Sequence, residues 1–189
     1  MGKKILVFLA EGFEEVEAVT PIDYLRRSGV EVSIAAIGSE KTVTGARGIK
    51  LTADTLIADL QKAGEFTSDS WDGTFVPGGM PGAKNLAGCV PAGTFFQEMA
   101  QNGKIIAAIC ASPVVFLAPL GLLENRKFTC YPGMENDQKG GIWVEDKVVV
   151  DNNLITSRGP GTAVDFSLAL IECLAGKDAA NTLIAAALL

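Results

Sequence analysis

Short aliphatic runs closed by glycine or small-residue turns alternate with helix-like segments along the whole chain, and this alternation restricts the fold more than any other feature. Residues 3–10 form the first run, bounded by Glu11-Gly12, and read as a fully buried strand. A helix is expected from Glu14 to Ser28, with Val16, Val19 and residues 21–25 on its apolar side, Arg26 and Arg27 near its end and Gly29 as its stop. Residues 31–37 read as a strand, and 43–51, with Gly45 and Gly48, as an irregular hairpin. A polar loop over 64–72 leads into a short strand at 73–76. Helical segments then reach Gln101, with an interruption near 88–91. Strands are expected at 105–109, 127–129, 143–151 and 154–157, and helices at 111–117, 162–174 and 178–188, Thr162 being a plausible cap and Gly176 a stop. Strand–helix alternation implies a mostly parallel sheet covered on both faces. With no linker, repeat or low-complexity tract in 189 residues, a single domain spanning 1–189 is expected.

Composition mainly excludes. A formal net charge of −6 without a basic block argues against general nucleic-acid or anionic-membrane binding. The apolar run at the start is short and is followed by Glu11, Glu14, Glu15 and Glu17, unlike a signal peptide. No apolar stretch approaches the roughly 20 residues that span a bilayer, so a cytoplasmic location is expected. Cys89, Cys110, Cys130 and Cys173 are scattered without a C-x-x-C pair, which suits reduced thiols better than a zinc site or disulfide scaffold. The chain has no histidine. Cys–His and Ser–His mechanisms and His-based metal sites are thereby removed, and no cofactor is expected.

Ligand sites of open parallel sheets lie outside the carboxyl ends of the strands. Three of the expected strand-to-helix turns carry unusual residues: Glu11-Gly12 with Glu14 and Glu17, Pro77-Gly78-Gly79, and Cys110-Ala111-Ser112-Pro113. A sharp turn between small residues would present Cys110 above the sheet edge, and a following helix would lower its pKa. A small buried core residue is the other role open to it. Cys89, Cys130 and Cys173 read as core fillers, Cys130 being also a possible secondary redox thiol. Glu14 and Glu17 share a helix face, whereas Glu15 points elsewhere and suits simple dipole complementation. Beside a thiolate, Glu17 would have a raised pKa and could donate a hydrogen bond, passing one proton between carboxyl and sulfur. Gly78 and Gly79 could offer N–H groups to an oxyanion or merely form a tight turn. The run PGGMPGA has neither G-x-G-x-x-G nor P-loop spacing, so nucleotide binding is unsupported. Arg47 and Arg158 could meet an anionic substrate or pair at the surface.

The stretches AEGFEEVEAVTPIDYLRRSGV, FVPGGMPGAKNL, IIAAICASP and ITSRGPGTAVDFSLALIECLAGK together resemble the ThiJ/PfpI family, particularly its parkinsonism-associated protein deglycase branch. The resemblance implies a flavodoxin-like three-layer sandwich and a homodimer. It places Cys110 at the reactive cysteine, Glu17 at the carboxyl group touching it, and Gly78 and Gly79 at the oxyanion turn. It also places Glu14, Asp23, Arg27 and Arg47 among charged contacts near the site and interface, and Gly159-Pro160 at a turn approaching the neighbouring subunit. Ala111 stands where many relatives have histidine, and Tyr131 where the deglycase branch has one. Peptidase and amidotransferase readings are therefore poor, and no phosphate motif supports a thiamine-biosynthetic role. The activity implied is cofactor-independent, cysteine-dependent deglycation or glyoxalase III-like conversion of methylglyoxal or early glycated adducts. A small reactive carbonyl would be the substrate. The other implied role is an oxidative-stress sensor or chaperone-like protein that works through oxidation of Cys110.

Overall fold

In the computed structural model, residues 2–189 are described. The first strand, β1 (Lys4–Leu9), is followed by helix α1 (Glu15–Arg27) and strand β2 (Glu31–Ala36). A small hairpin, β3 (Thr42–Thr44) and β4 (Lys50–Thr52), precedes β5 (Thr55–Leu56) and α2 (Ile57–Ala63). Then come β6 (Gly73–Val76), α3 (Gly82–Ala87), α4 (Val90–Gln101) and β7 (Ile105–Ile109). A π-helical turn, Pro113–Leu117, leads toward β8 (Lys127–Phe128) and β9 (Ile142–Trp143), which pair in parallel. The chain ends through β10 (Val148–Asp151), β11 (Leu154–Ser157), α5 (Ala163–Ala175) and α6 (Lys177–Ala187).

Among the described residues the main sheet has seven strands in the order β10-β11-β7-β6-β1-β2-β5. Every neighbouring pair is parallel except β10 with β11. Strand periodicity explains how it is buried on both faces. In β1, Ile5, Val7 and Leu9 point into one core and Leu6 and Phe8 into the other. Strand β7 divides likewise, Ala107 and Ile109 against Ile106 and Ala108. The first core is closed by α1, α5 and α6 through Ile22, Leu25, Phe166, Leu170, Ile171 and Leu183. The second is closed by α2 and α4 through Ile57, Leu60, Phe95, Phe96 and Met99, with Phe116 from the π-turn. Three layers result, as the resemblance implied. From β1 the chain runs outward through β2 to β5 and then returns to β6 on the other side of β1. That reversal opens a crevice at the carboxyl ends of β1 and β6, with β7 next to it.

Several sequence expectations change. Val16 and Val19 are 47% and 43% exposed, whereas Glu15 and Glu17 lie on the buried side of α1. The expected strand over 143–151 is two pieces, since β9 belongs to the small sheet with β8 and β10 to the main one. The segment after Cys110 begins only at Pro113 and has π geometry. Thr162 makes no side-chain cap on α5; its hydroxyl instead receives the N–H groups of Arg158 and Gly159 and pairs with Ser157. Cys173 is exposed and Cys89 half-buried, so of the cysteines read as fillers only Cys130 is a core residue. Strand β5 and helix α2 had no counterpart in the sequence reading.

Candidate active site

The first turn of α1 is organised around carboxylates. Glu14 is its N-cap and accepts the Glu17 N–H at 2.8 Å, satisfying one of the free donors of the helix start. Glu15, only 5% exposed, reaches back to the hairpin and accepts the Arg47 N–H at 2.6 Å and the Ile49 N–H at 3.3 Å. Glu17 is fully buried, and its Oε2 accepts the Gly78 N–H at 2.8 Å. Each carboxylate is drawn toward a backbone donor, which turns the two valines outward. Glu15 thus has a structural task that dipole complementation did not suggest.

Cys110 follows the last residue of β7 directly. Its φ of +67° lies in the left-handed region, unusual for a residue with a side chain and costing about 1–3 kcal/mol. Two backbone hydrogen bonds hold it there. The Cys110 N–H donates to Ser157 O at 2.9 Å, and the Tyr131 N–H donates to Cys110 O at 2.8 Å. The side chain is therefore turned inward and only 8% exposed, not raised above the sheet edge as the sequence suggested.

The thiol hydrogen-bonds to Glu17 and to the N–H groups of Gly79 and Ala111. Gly78 fits between the two reacting groups because it lacks a side chain: a Cβ there would lie 2.6 Å from Cys110 Cβ and 2.8 Å from Glu17 Oε2. Its N–H is engaged by Glu17, so the donors facing sulfur are Gly79 and Ala111, not the Gly78–Gly79 pair expected. Burial pushes the Glu17 carboxyl up to about 7 against the hydrogen bonds from Cys110 and Gly78. Burial, then the Glu17 charge and hydrogen bond, push the Cys110 thiol up to about 12, opposite to the helix-end effect expected; a single five-residue turn follows it. The groups titrate as a pair, losing one proton near 7 and the next near 12. Between those values they share one negative charge, drawn to sulfur by Gly79 and Ala111 and to oxygen by Gly78.

The remaining candidates are peripheral. Arg27 pairs with Asp23 at 2.7 Å on the exposed side of α1, and the Arg47 side chain is exposed. Arg158 faces Glu145 at 3.6 Å. Tyr131 is 49% exposed, and Pro160 is exposed beside it. Burial pushes the Cys130 thiol up to about 12, which suits a core filler better than a redox thiol. No cluster of three Cys, Asp or Glu side chains among the described residues is placed to hold a metal ion.

The DJ-1/PfpI family model matches residues 3–173. Protein DJ-1 homolog B of Arabidopsis thaliana is 40% identical over 179 residues, covering 94% of this chain but 40% of that protein, so the chain spans less than half of its length. The glutathione-independent glyoxalase DJR-1.2 of Caenorhabditis elegans is 34% identical over 184 residues, 96% of this chain and 94% of that one. The oxidized DJ-1 of Toxoplasma gondii superposes with a TM-score of 0.92 at 37% identity, covering 99% of this chain and 98% of that one. A match of this extent, with the cysteine turn and its carboxyl partner in one crevice, identifies the chain as a member of the DJ-1/PfpI family.

Proposed function

We propose that the protein converts small 2-oxoaldehydes such as methylglyoxal, or their early adducts, to 2-hydroxy acids without a cofactor. The observation that carries this reading is the burial of the Cys110 thiol against the Glu17 carboxyl group, with only the side-chain-free Gly78 between them. The name of the Caenorhabditis elegans relative, a glyoxalase independent of glutathione, supports it. The Cys110 thiolate adds to the aldehyde carbon, forming the C–S bond as the carbonyl electron pair moves to oxygen. That oxygen forms within reach of Gly79 and Ala111 and takes the proton from Glu17. The Glu17 carboxylate then removes the proton on the same carbon and returns it to the neighbouring carbonyl carbon while the hydroxyl proton passes to the neighbouring oxygen, so one carbon is oxidised to the thioester and the other reduced to the alcohol. Water cleaves the thioester, releasing the 2-hydroxy acid and restoring the thiol. Lactate formation from methylglyoxal by the wild type and by Cys110→Ser is the test. Equal rates would reject the nucleophile, and wild-type rates no better than those of a free thiol would reject the enzyme.

The second reading is an oxidation sensor. Gly79, Ala111 and a neutral Glu17 would hold a Cys110 sulfinate as readily as an alkoxide, and the Toxoplasma gondii protein is described as oxidized. Intact-mass analysis under graded peroxide separates the two, since oxidation confined to the other cysteines would end this reading. A homodimer is proposed through the outward face of α1, where Val16 and Val19 stand exposed, with Ile49 of the hairpin also exposed at 57%.

A further inference from the structure

Three backbone N–H groups serve the buried pair, and each belongs to a peptide unit whose carbonyl is held from another part of the chain. The Gly79 N–H faces sulfur, and the carbonyl of the same unit, Gly78 O, accepts the Glu14 N–H at 3.0 Å. The Ala111 N–H also faces sulfur, and Cys110 O accepts the Tyr131 N–H at 2.8 Å. The Gly78 N–H donates to Glu17 Oε2 at 2.8 Å, and Pro77 O accepts the Ser112 hydroxyl at 2.6 Å. Two of these clamps are main-chain bonds; the third is a side chain. Ser112 is fully buried, and its hydroxyl makes no cap on the π-helical turn that it precedes. Serine hydroxyls commonly bond to nearby backbone groups of their own turn, yet this one reaches across to the end of β6. The unit that it holds is also the one most free to turn. Rotating the Pro77–Gly78 peptide changes ψ of Pro77 and φ of Gly78, and glycine accepts either sign of φ. No residue with a side chain fits at 78, since a Cβ would stand 2.6 Å from Cys110 Cβ and 3.0 Å from Ile109 O. Crowding at the pair thus demands the residue that leaves the turn loose. Turned over, the unit would aim its carbonyl at the Glu17 carboxylate in place of its N–H.

We propose that Ser112 is a positioning residue of the site, its hydroxyl fixing the Pro77–Gly78 peptide so that the Gly78 N–H stays on Glu17. The bond also acts along the peptide. A donor on Pro77 O draws electron density from the amide and strengthens its N–H as a donor, by about 10–30% for linked hydrogen bonds. Ser112 therefore favours the ionised Glu17 carboxyl group through the peptide between them. This role rests on the functional reading above, in which Cys110 and Glu17 are the reacting groups.

Ser112→Ala tests the clamp without substrate. In the pH dependence of Cys110 alkylation by iodoacetamide, the inflection at about 7 moves up by about half a unit. Amide exchange at Gly78, followed by NMR, speeds up by about tenfold or more while the strands around it keep their protection. The titratable groups facing Glu17 are Cys110 at the end of β7 and Glu14 on its own helix, and the substitution alters neither. Met99→Ala, which opens a cavity in the second core, separates positioning from lost stability. It lowers the unfolding free energy and leaves the inflection in place. An unmoved inflection in a folded Ser112→Ala protein overturns the role, and so does an equal shift in Met99→Ala. Should Ser112→Ala fail to fold, the wild type decides by NMR. Its buried Ser112 hydroxyl proton gives a slowly exchanging signal that follows the titration of Glu17 through the shared peptide, and a signal that does not follow it overturns the role. If the protein turns over no 2-oxoaldehyde, the functional reading falls by itself, since none of these readouts uses substrate.

Discussion

Cys110 and Glu17 sit in one another's titration, and the consequence can be measured at either residue. Replacing Glu17 with Gln removes the carboxyl group that loses its proton near 7. Alkylation of Cys110 then loses its inflection in that range and rises in a single step below about 12, because the Glu17 charge and hydrogen bond that push the thiol up are gone. A profile identical to the wild type would show that the carboxyl group does not tune the sulfur. The same group also predicts a stability effect with a definite sign. Because its folded-state pKa is raised from the ordinary 4.5 to about 7, the proton it retains stabilises the fold fully below about 4.5. That contribution is lost as pH rises through about 7, and over the whole interval it amounts to about 3 kcal/mol. Urea unfolding of wild type and Glu17→Gln at pH 5 and pH 8 should therefore show the variant gaining on the wild type at the higher pH. A constant difference would contradict the burial cost assigned to this carboxylate.

Helix α1 shows what could and could not be read from the sequence at the level of elements. Its existence follows from a good periodic pattern, a polar start and Gly29 beyond its end. Its rotation does not, because that is set by donors far along the chain: Arg47 for Glu15 and Gly78 for Glu17. The resulting tie between Glu15 and the hairpin is testable. Glu15→Ala should cost about 2 kcal/mol of unfolding free energy and speed hydrogen exchange over residues 42–52, and unchanged exchange there would show that the hairpin does not depend on it. Strands β6, β7 and β11 were legible to the residue since each is a short apolar run with buried faces on both sides. Strand β5 and helix α2 were not, being two and seven residues long with little room for a period to show. The site was legible as residues, through the three turns and the family resemblance. The engagement of the Gly78 N–H and the burial of Cys110 were not, because Glu17 and Tyr131 impose them from other elements.

For the molecule as a whole, the valines turned out of α1 are the counterpart of the carboxylates turned in. If this face joins two copies, Val19→Lys should weaken association by about tenfold or more, and sedimentation at micromolar concentration should show a monomer. An unaltered mass would remove α1 from the interface. The order in which the chain is made also bears on Cys110. Its left-handed backbone is held by Tyr131 and Ser157, both of which leave the ribosome after it does. A nascent chain therefore carries an ordinary, relaxed cysteine until β11 has docked against β7. Newly synthesised protein therefore completes the Cys110–Glu17 site only when most of the polypeptide has emerged.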